Sequence, residues 1–294
     1  MNKRRFRSAK ALLALGLALS LLLCACEILE VPGVGDPLSS PADAGEFSVH
    51  VIDVGQGDAI LVRCGDQDML VDAGPQSGVD QLLAYLEEVG VARLTAVVET
   101  HPHEDHIGGM DEVLAAYPVD KVYLSPASST TKSFERVLDA IDEQGLDAEV
   151  PEAGDRFSLG AAQVEVLGPA AAYDDANDSS LVLKVTYQGQ RVLLQGDAEA
   201  RSERDILASG ADVAAEVIKL GHHGSNTSTD LDYLEAVDPD LALISCGQDN
   251  SYGHPHEETL DKLIRRQITF ARTDLEGTLV VAYQQGRLAL LPAA

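Results

Sequence analysis

The chain has 294 residues, 45% hydrophobic, 23% charged and 4% aromatic, with no Trp. That composition supports one large core or two small ones and is far too hydrophobic for general disorder. Twenty-one Lys and Arg against 48 Asp and Glu leave a formal charge of −27. This excludes a protein that holds polyanions on a broad basic surface, but not one that grips a phosphodiester through metal ions.

The N-terminus reads as an address. Lys3, Arg4, Arg5, Arg7 and Lys10 crowd the first ten positions, with no acid before Glu27, and removing those five charges takes the remainder from −27 to −32. The apolar stretch 11–23 is shorter than the roughly 20 residues of a spanning helix and suits a signal-peptide core. Leu23-Cys24-Ala25-Cys26 resembles a bacterial lipobox, with small Ala25 before a Cys26 that would be cleaved and lipidated. Cys24 is less usual at its place in that motif. The expectation is a signal peptide over 1–25 and a lipidated Cys26 that anchors an exported protein to the cell membrane. An uncleaved anchor or an ordinary secretory signal is the alternative. Residues 27–46 hold three Pro and three Gly without hydrophobic periodicity and read as a flexible tether, so residues 26–46 form a linker. The folded body is expected over 47–294, as a single domain.

Within the body, strand-like runs are predicted at Phe47–Asp53, Ala59–Arg63 and Met69–Val71, divided by Gly-rich turns. Val79, Leu82, Leu83, Leu86 and Val89 share a helical face over Gly78–Val89, with Gly90 as a stop. A buried strand at Leu94–Val98 leads to His101. A helix at Met110–Tyr117, a strand at Lys121–Leu124 and a helix at Ser133–Glu143 follow. The second half repeats the alternation. Strands are predicted at Val164–Leu167, Leu181–Tyr187 and Arg191–Leu194, a helix at Glu199–Ala208, and a strand at Glu216–Leu220. A helix at Asp230–Val237, a strand at Leu241–Ser245 and a helix at Glu257–Gln267 come next. Strands at Ile268–Arg272, Thr278–Tyr283 and Leu288–Leu290 end the chain. Two halves that each begin with hairpin-like strands and end with βα units predict two sheets face to face, with helices outside.

Only Cys64 and Cys246 lie in the body, in opposite halves and outside any CxxC pattern, so the chemistry rests on His and Asp. Six of the eight His fall in three short motifs. In His101-Pro102-His103-Glu104-Asp105-His106, an extended segment turns His101 and His103 the same way, able to grip one cation. Asp105 and His106 open the next helix, within reach of a second. Imidazole and carboxylate are the ligands of zinc and other first-row divalent ions. Asp197 ends an apolar strand, where its carboxylate could bridge two metals. His222 and His223, before Gly224 and Ser225, stand at another strand terminus.

Together these motifs resemble the metallo-β-lactamase fold and, within it, the hydrolase domain of the ComEC family of DNA-uptake (competence) proteins. The resemblance runs from Phe47 to Leu291. It is carried by Asp53-Val54-Gly55-Gln56-Gly57-Asp58-Ala59, Val71-Asp72-Ala73-Gly74, His101 to Gly109, Asn177-Asp178-Ser179-Ser180-Leu181, Gly196-Asp197, His222 to Ser225, Tyr252-Gly253-His254-Pro255 and Arg272-Thr273-Asp274. It is to the hydrolase part alone, not to membrane-spanning channel segments.

The resemblance implies an α/β protein, a four-layer αββα sandwich. It implies that His101 and His103 hold a first metal, that Asp105, His106 and His222 hold a second, and that Asp197 bridges. Where the wider fold usually has another His, this chain has Asn177, a weaker ligand. Asp72, in Asp-Ala-Gly rather than the commoner Asp-Gly-Gly, resembles a carboxylate that orients a ligand His. Asp58 is expected to shape the site rim or, alternatively, to serve a structural turn. Asn177, Ser179, Ser180, His223, Ser225 and His254 are candidates to bind phosphate oxygens or to protonate a leaving oxygen, with a turn-capping role as the alternative for His254. His50 and His256 join no constellation.

The implied activity is that of a phosphodiesterase or nuclease acting on DNA with water activated between two divalent ions, zinc or manganese. A small phosphodiester or other small substrate is the alternative. Less favoured is a lipid-anchored binding protein with a vestigial site. Lys132, Arg136, Lys184, Lys219 and Arg272 could form a local basic rim for DNA.

Overall fold

The computed structural model describes residues 44–292. The signal peptide, Cys26 and nearly all of the tether expected over 26–46 lie outside the described residues.

Strands buried on both faces read as continuous apolar runs, because each face needs its own partner layer. β1 (Phe47–Val51) is buried at all five positions although Ser48 and His50 interrupt its apolar run, because His50 is hydrogen-bonded to Ser48 and Tyr85. With β2 (Ala59–Cys64) and β3 (Gln67–Ala73) it forms an antiparallel meander. The helical face predicted over Gly78–Val89 forms α1 (Val79–Glu88), which buries Val79, Leu82 and Leu86. Next come β4 (Ala96–Val98), the one-turn α2 (Glu104–Ile107), α3 (Met110–Ala116), β5 (Val122–Tyr123), α4 (Lys132–Glu143) and β6 (Ala148–Glu149). Thr131 caps α4 by accepting from the Phe134 amide.

The second half builds β7 (Arg156–Leu159), β8 (Ala162–Gly168), β9 (Val182–Tyr187) and β10 (Gln190–Leu194), again antiparallel. Parallel units follow: α5 (Ala200–Ala208), β11 (Val217–Lys219), α6 (Leu231–Val237), β12 (Leu241–Ile244), α7 (Glu257–Arg266) and β13 (Thr269–Arg272). After the short α8 (Thr273–Glu276), β14 (Leu279–Gln284) and β15 (Arg287–Leu290) return to the first sheet, β14 pairing with β1. The sheet orders are β15-β14-β1-β2-β3-β4-β5-β6 and β13-β12-β11-β10-β9-β8-β7.

The period of two along each strand sorts the core into three layers. Val49, Val62, Met69, Val164, Val185, Leu194 and Leu243 pack between the sheets. Leu61, Leu70 and Val97 face Leu82, Leu86, Met110 and Val137 on one side. Leu193, Ile218 and Ala242 face Ile206, Tyr233 and Leu263 on the other. This is the αββα sandwich anticipated from the alternation of elements. Cys64 sits in the central layer and Cys246 in an outer one, both as free thiols. Among the described residues no helix is long and apolar enough to cross a membrane.

Three elements escape the sequence reading, each for a physical reason. β6 is exposed at both positions, and β7 buries only Leu159, so neither carries a hydrophobic pattern. α8 is a single turn after Arg272, anchored by buried Thr273, which exchanges hydrogen bonds with Cys246.

One ion pair joins the two sheets below the site. Lys219, at the end of β11, sets its Nζ 2.7 Å from Asp58 Oδ2, just before β2, and both side chains are fully buried. Removing one partner strands the other charge away from water. Lys219→Ala is expected to lower unfolding stability by about 3–5 kcal/mol, read as a fall in the urea midpoint at constant slope. A loss below about 1 kcal/mol would show that solvent reaches Asp58 and that the pair is not a buried one.

Candidate metal centre

The ends of β3, β4, β10 and β11 converge on one edge of the sandwich. Asp72, in β3, has a left-handed backbone (φ 59°) and is fully buried. Its Oδ1 accepts from the Thr100 amide (2.8 Å). Its Oδ2 accepts from the Thr100 hydroxyl (2.7 Å) and from His106 Nδ1 (2.7 Å). Thr100 leaves β4 and also accepts, at its carbonyl, from the Leu181 amide of the other half (2.9 Å). The His-rich segment is therefore held by both sheets.

The proton that His106 gives to Asp72 fixes its tautomer. Nε2 is left with a lone pair, buried, without a hydrogen-bond partner and 3.2 Å from Asp197 Oδ1, which is also buried and unpartnered. His223 repeats the arrangement. Its Nδ1 donates to the Ser245 carbonyl (3.0 Å) beside Asp58 Oδ1 (3.3 Å). Its unpartnered Nε2 faces Asp105 Oδ2 (3.3 Å) and Asp197 Oδ1 (3.7 Å). Lone pairs facing carboxylates at these distances repel unless a cation or protons lie between them. Ligand atoms of Asp105, His106, Asp197 and His223 all lie within 4.8 Å of one another, a donor set that suits a divalent metal ion.

Beside it stand His101 and His103, with His101 Nε2 3.0 Å from His103 Nδ1 and 3.7 Å from Asp197 Oδ2. His101 is fully buried while His103, the residue before α2, is exposed. His222 points its Nε2 at the same Asp197 oxygen (3.8 Å) and its Nδ1 at Glu199 Oε1 (3.0 Å). The resemblance implied His222 at the second cation, with His223 on substrate. The structure brings His223 to the carboxylate pair and turns His222 to the other side of Asp197. Both residues are left-handed (φ 48° and 54°), a conformation costing about 1–2 kcal/mol at each non-glycine residue, which fans the two imidazoles apart.

The electrostatics follow from this crowding. Burial opposes ionisation of Asp197, yet His106 and His223 hold it well below the usual carboxylate range. Burial likewise opposes charge on His223, but Asp197, Asp58 and Asp105 push it up to about 9. His106 is raised well above its ordinary value against burial, by Asp197 and Asp72. Burial and the neighbouring His106 push His101 the other way.

The remaining candidates take other places. Asp58 lies fully buried behind His223 instead of at the rim. A tight approach fixes its loop: a Cβ on Gly57 would sit 2.2 Å from the Asp105 carbonyl oxygen, at φ +148°. Ser180 Oγ accepts from the Asp197 amide (3.1 Å) and so orients that carboxylate's backbone. Ser179 and Ser225 direct their hydroxyls to Asp175 and Thr227 and are buried, so neither presents a free donor to substrate. Asn177 keeps a buried Oδ1 without a partner.

His254 borders the site, 5.3 Å from the His222 ring, with exposed Tyr252 stacked on it at 5.6 Å. Gln56 accepts from the Gly247 amide, which turns its NH2 to His254 Nδ1 (3.4 Å). His256, assigned to no site by sequence, lies with its ring 5.0 Å from His254 and accepts from the Asn226 amide. His50 is structural, bonded to Ser48 and Tyr85.

The five basic side chains do not assemble as a free rim. Lys219 pairs with Asp58, Lys184 with Glu165 and Asp212, Arg136 with Asp111, and Arg272 with Asp274, while Lys132 stands exposed at the start of α4. Lys219 and Lys184 are also buried. Glu199, by contrast, was missed. Its signal was its place two residues after Asp197, just before α5, on the turn that carries the carboxylate.

The family model described as the Metallo-beta-lactamase superfamily matches residues 52–248. ComE operon protein 3 of Bacillus subtilis is 33% identical over 264 residues, covering 83% of this chain and 34% of that protein. Competence protein ComA of Neisseria gonorrhoeae is 30% identical over 247 residues, 82% of this chain and 33% of that one. The chain thus spans about a third of the length of these relatives. Among solved structures, the metallo-β-lactamase-fold protein YhfI of Bacillus subtilis superposes with a TM-score of 0.52 at 12% identity, over 80% of this chain and 98% of that one. The chain therefore belongs to the metallo-β-lactamase superfamily, a metal-binding hydrolase of that fold with the ComEC-like hydrolase domains of competence proteins as its relatives.

Proposed function

We propose that this protein is an exported, lipid-anchored phosphodiesterase that cleaves DNA outside the cell membrane with two divalent ions, zinc or manganese. The observation that carries the reading is the Asp197 carboxylate, which faces His106 and His223 with one oxygen and His101 and His222 with the other. Such an arrangement suits two adjacent cations. Two bound divalent ions would lower the pKa of water towards neutrality and clamp the oxygens of an in-line displacement.

The chain's own residues do the rest. His106 and His223 keep their Nδ1 protons on Asp72 and the Ser245 carbonyl, so their Nε2 atoms stay turned into the site. Asp105 approaches from α2 and completes the ligand set. Burial, with His223 and His222 nearby, brings His254 down to about 4, so it is neutral at physiological pH. With Gln56 donating to Nδ1, the imidazole carries its proton on Nε2 and donates it as a hydrogen bond to a phosphoryl or leaving-group oxygen. Tyr252 offers an exposed ring beside it on which a nucleobase can stack.

The competence proteins among the relatives support DNA as substrate. The basic N-terminal run, apolar stretch and Cys26 support export and lipid anchoring. A second reading, a small phosphodiester, is favoured by the paired state of Lys184, Lys219, Arg136 and Arg272, which leaves little cationic surface for a polymer.

The test strips the full chain of metal, restores manganese or zinc, and follows labelled single- and double-stranded DNA beside bis-p-nitrophenyl phosphate. DNA cleavage is expected, abolished by chelator and reduced at least about 10³-fold in a folded Asp105→Ala variant. Cleavage of the diester alone would transfer the proposal to small phosphodiesters. Normal turnover in Asp105→Ala would remove the two-ion mechanism.

A pH dependence follows from the raised proton affinity of His223 and His106. Without metal, His223 holds its proton up to about pH 9, so a cation must displace it. Affinity for zinc is expected to rise with pH from 6 to 9, with roughly one to two protons released per ion, measured by calorimetry in buffers of different ionisation enthalpy. A pH-independent affinity would show that neither imidazole is a ligand.

A further inference from the structure

We propose that His222 supplies its Nε2 to the first cation, the one gripped by His101 and His103, while His223 serves the second. This rests on the two-cation reading and assigns the two adjacent imidazoles to different ions.

Three observations carry it. Asp197 divides its neighbours by oxygen: Oδ1 lies 3.2 Å from His106 Nε2 and 3.7 Å from His223 Nε2, while Oδ2 lies 3.7 Å from His101 Nε2 and 3.8 Å from His222 Nε2. The Oδ1 side already holds four donors without His222, namely Asp105, His106, Asp197 and His223. On the Oδ2 side, where the ligand atoms are less tightly gathered, His101 faces Asp197 with His103 beside it, and His222 is the further imidazole that would bring this side to the four donors zinc prefers. Finally, His222 is prepared as a ligand. Its Nδ1 meets Glu199 Oε1 at 3.0 Å, and the Thr227 hydroxyl steadies that carboxylate at 2.8 Å. The proton therefore sits on Nδ1 and the Nε2 lone pair faces the site, as His106 is prepared by Asp72. Glu199 is thus a positioning residue for the first ion.

The test uses the full chain, stripped of metal and titrated with cobalt(II). Stoichiometry is read by elemental analysis, affinity by calorimetry and ligand environment by the visible absorption of the cobalt. Two ions are expected for the unaltered protein. His222→Ala should keep one at unchanged affinity and weaken the other by at least about 100-fold, and Glu199→Gln should weaken the same ion by about 10–100-fold. In double variants, His222→Ala should add little to His101→Ala but act independently of His106→Ala. His222→Gln, which keeps the chain volume, serves if the Ala variant does not fold. Two ions bound with unchanged affinity in His222→Ala or His222→Gln would overturn the assignment alone. So would epistasis with His106→Ala in place of His101→Ala. An unaltered protein that takes up no ion, or only one, would overturn the two-cation reading together with it.

Discussion

A carboxylate that is 2% exposed, flanked by imidazoles, is the constraint around which this molecule is arranged. Asp197 cannot be buried as an anion without compensating positive charge, because desolvation alone outweighs most protein–protein contacts. The fold answers with His106 and His223 on one oxygen and His101 and His222 on the other, delivered from β4 and β11 on different sheets. Without metal, the protons held by His106 and His223 compensate the carboxylate. A divalent ion that displaces them takes over that charge, and the freed lone pairs become its ligands.

What sits behind the imidazoles is as specific as the imidazoles. Asp72 orients His106, Glu199 orients His222, and the Ser245 carbonyl with Asp58 orients His223. Asp58 is in turn committed to Lys219, the fully buried ion pair between the sheets. A chain of contacts therefore runs from the centre of the sandwich to the site. A substitution at Lys219 would disturb His223 through Asp58 even though Lys219 is not among the candidate ligand atoms. Left-handed backbones at Asp72, His222 and His223 concentrate strain at this edge, where close packing over-determines the conformation.

Much of this was legible from residue order. The apolar runs gave β1 through β5 and β8 through β15 within a few residues, because strands buried on both faces are mostly apolar even where Ser48, His50 or Lys184 interrupts them. They missed β6 and β7, whose polar, exposed edges carry no periodic signal. The His and Asp of the metal centre stood out because unpaired ligating side chains cluster after strand ends for little reason except chemistry. The division of labour between His222 and His223 was not legible. Both are imidazoles one residue apart, and only successive left-handed φ angles decide which way each one points. The same limit applied to the basic side chains. Lys219 looked available for phosphate, but its partner Asp58 is 161 positions away, a contact that only the packing of the two sheets creates.

On the proposed reading, so acidic a body would have to draw a phosphodiester to its site, and the length scales of electrostatics resolve the tension. Exposed charges are screened over about 8–10 Å at physiological salt, so most of the acidic surface is weakly felt by a phosphate already inside the cleft. Two divalent ions among His101, His103, His106, His222 and His223 would act at contact distance and in a poorly hydrated setting, where each charge counts for far more. The balance also sets which partners tolerate the surface. A long duplex lying across the body would meet unscreened carboxylates at many points, with few free Lys or Arg to release counterions in return. A flexible single strand, or a strand end entering beside Tyr252 and His254, would meet the cations first and little else. On that reading the acidity would favour substrates that reach the metal centre by a narrow approach, with the bound ions, instead of the protein surface, as the source of affinity.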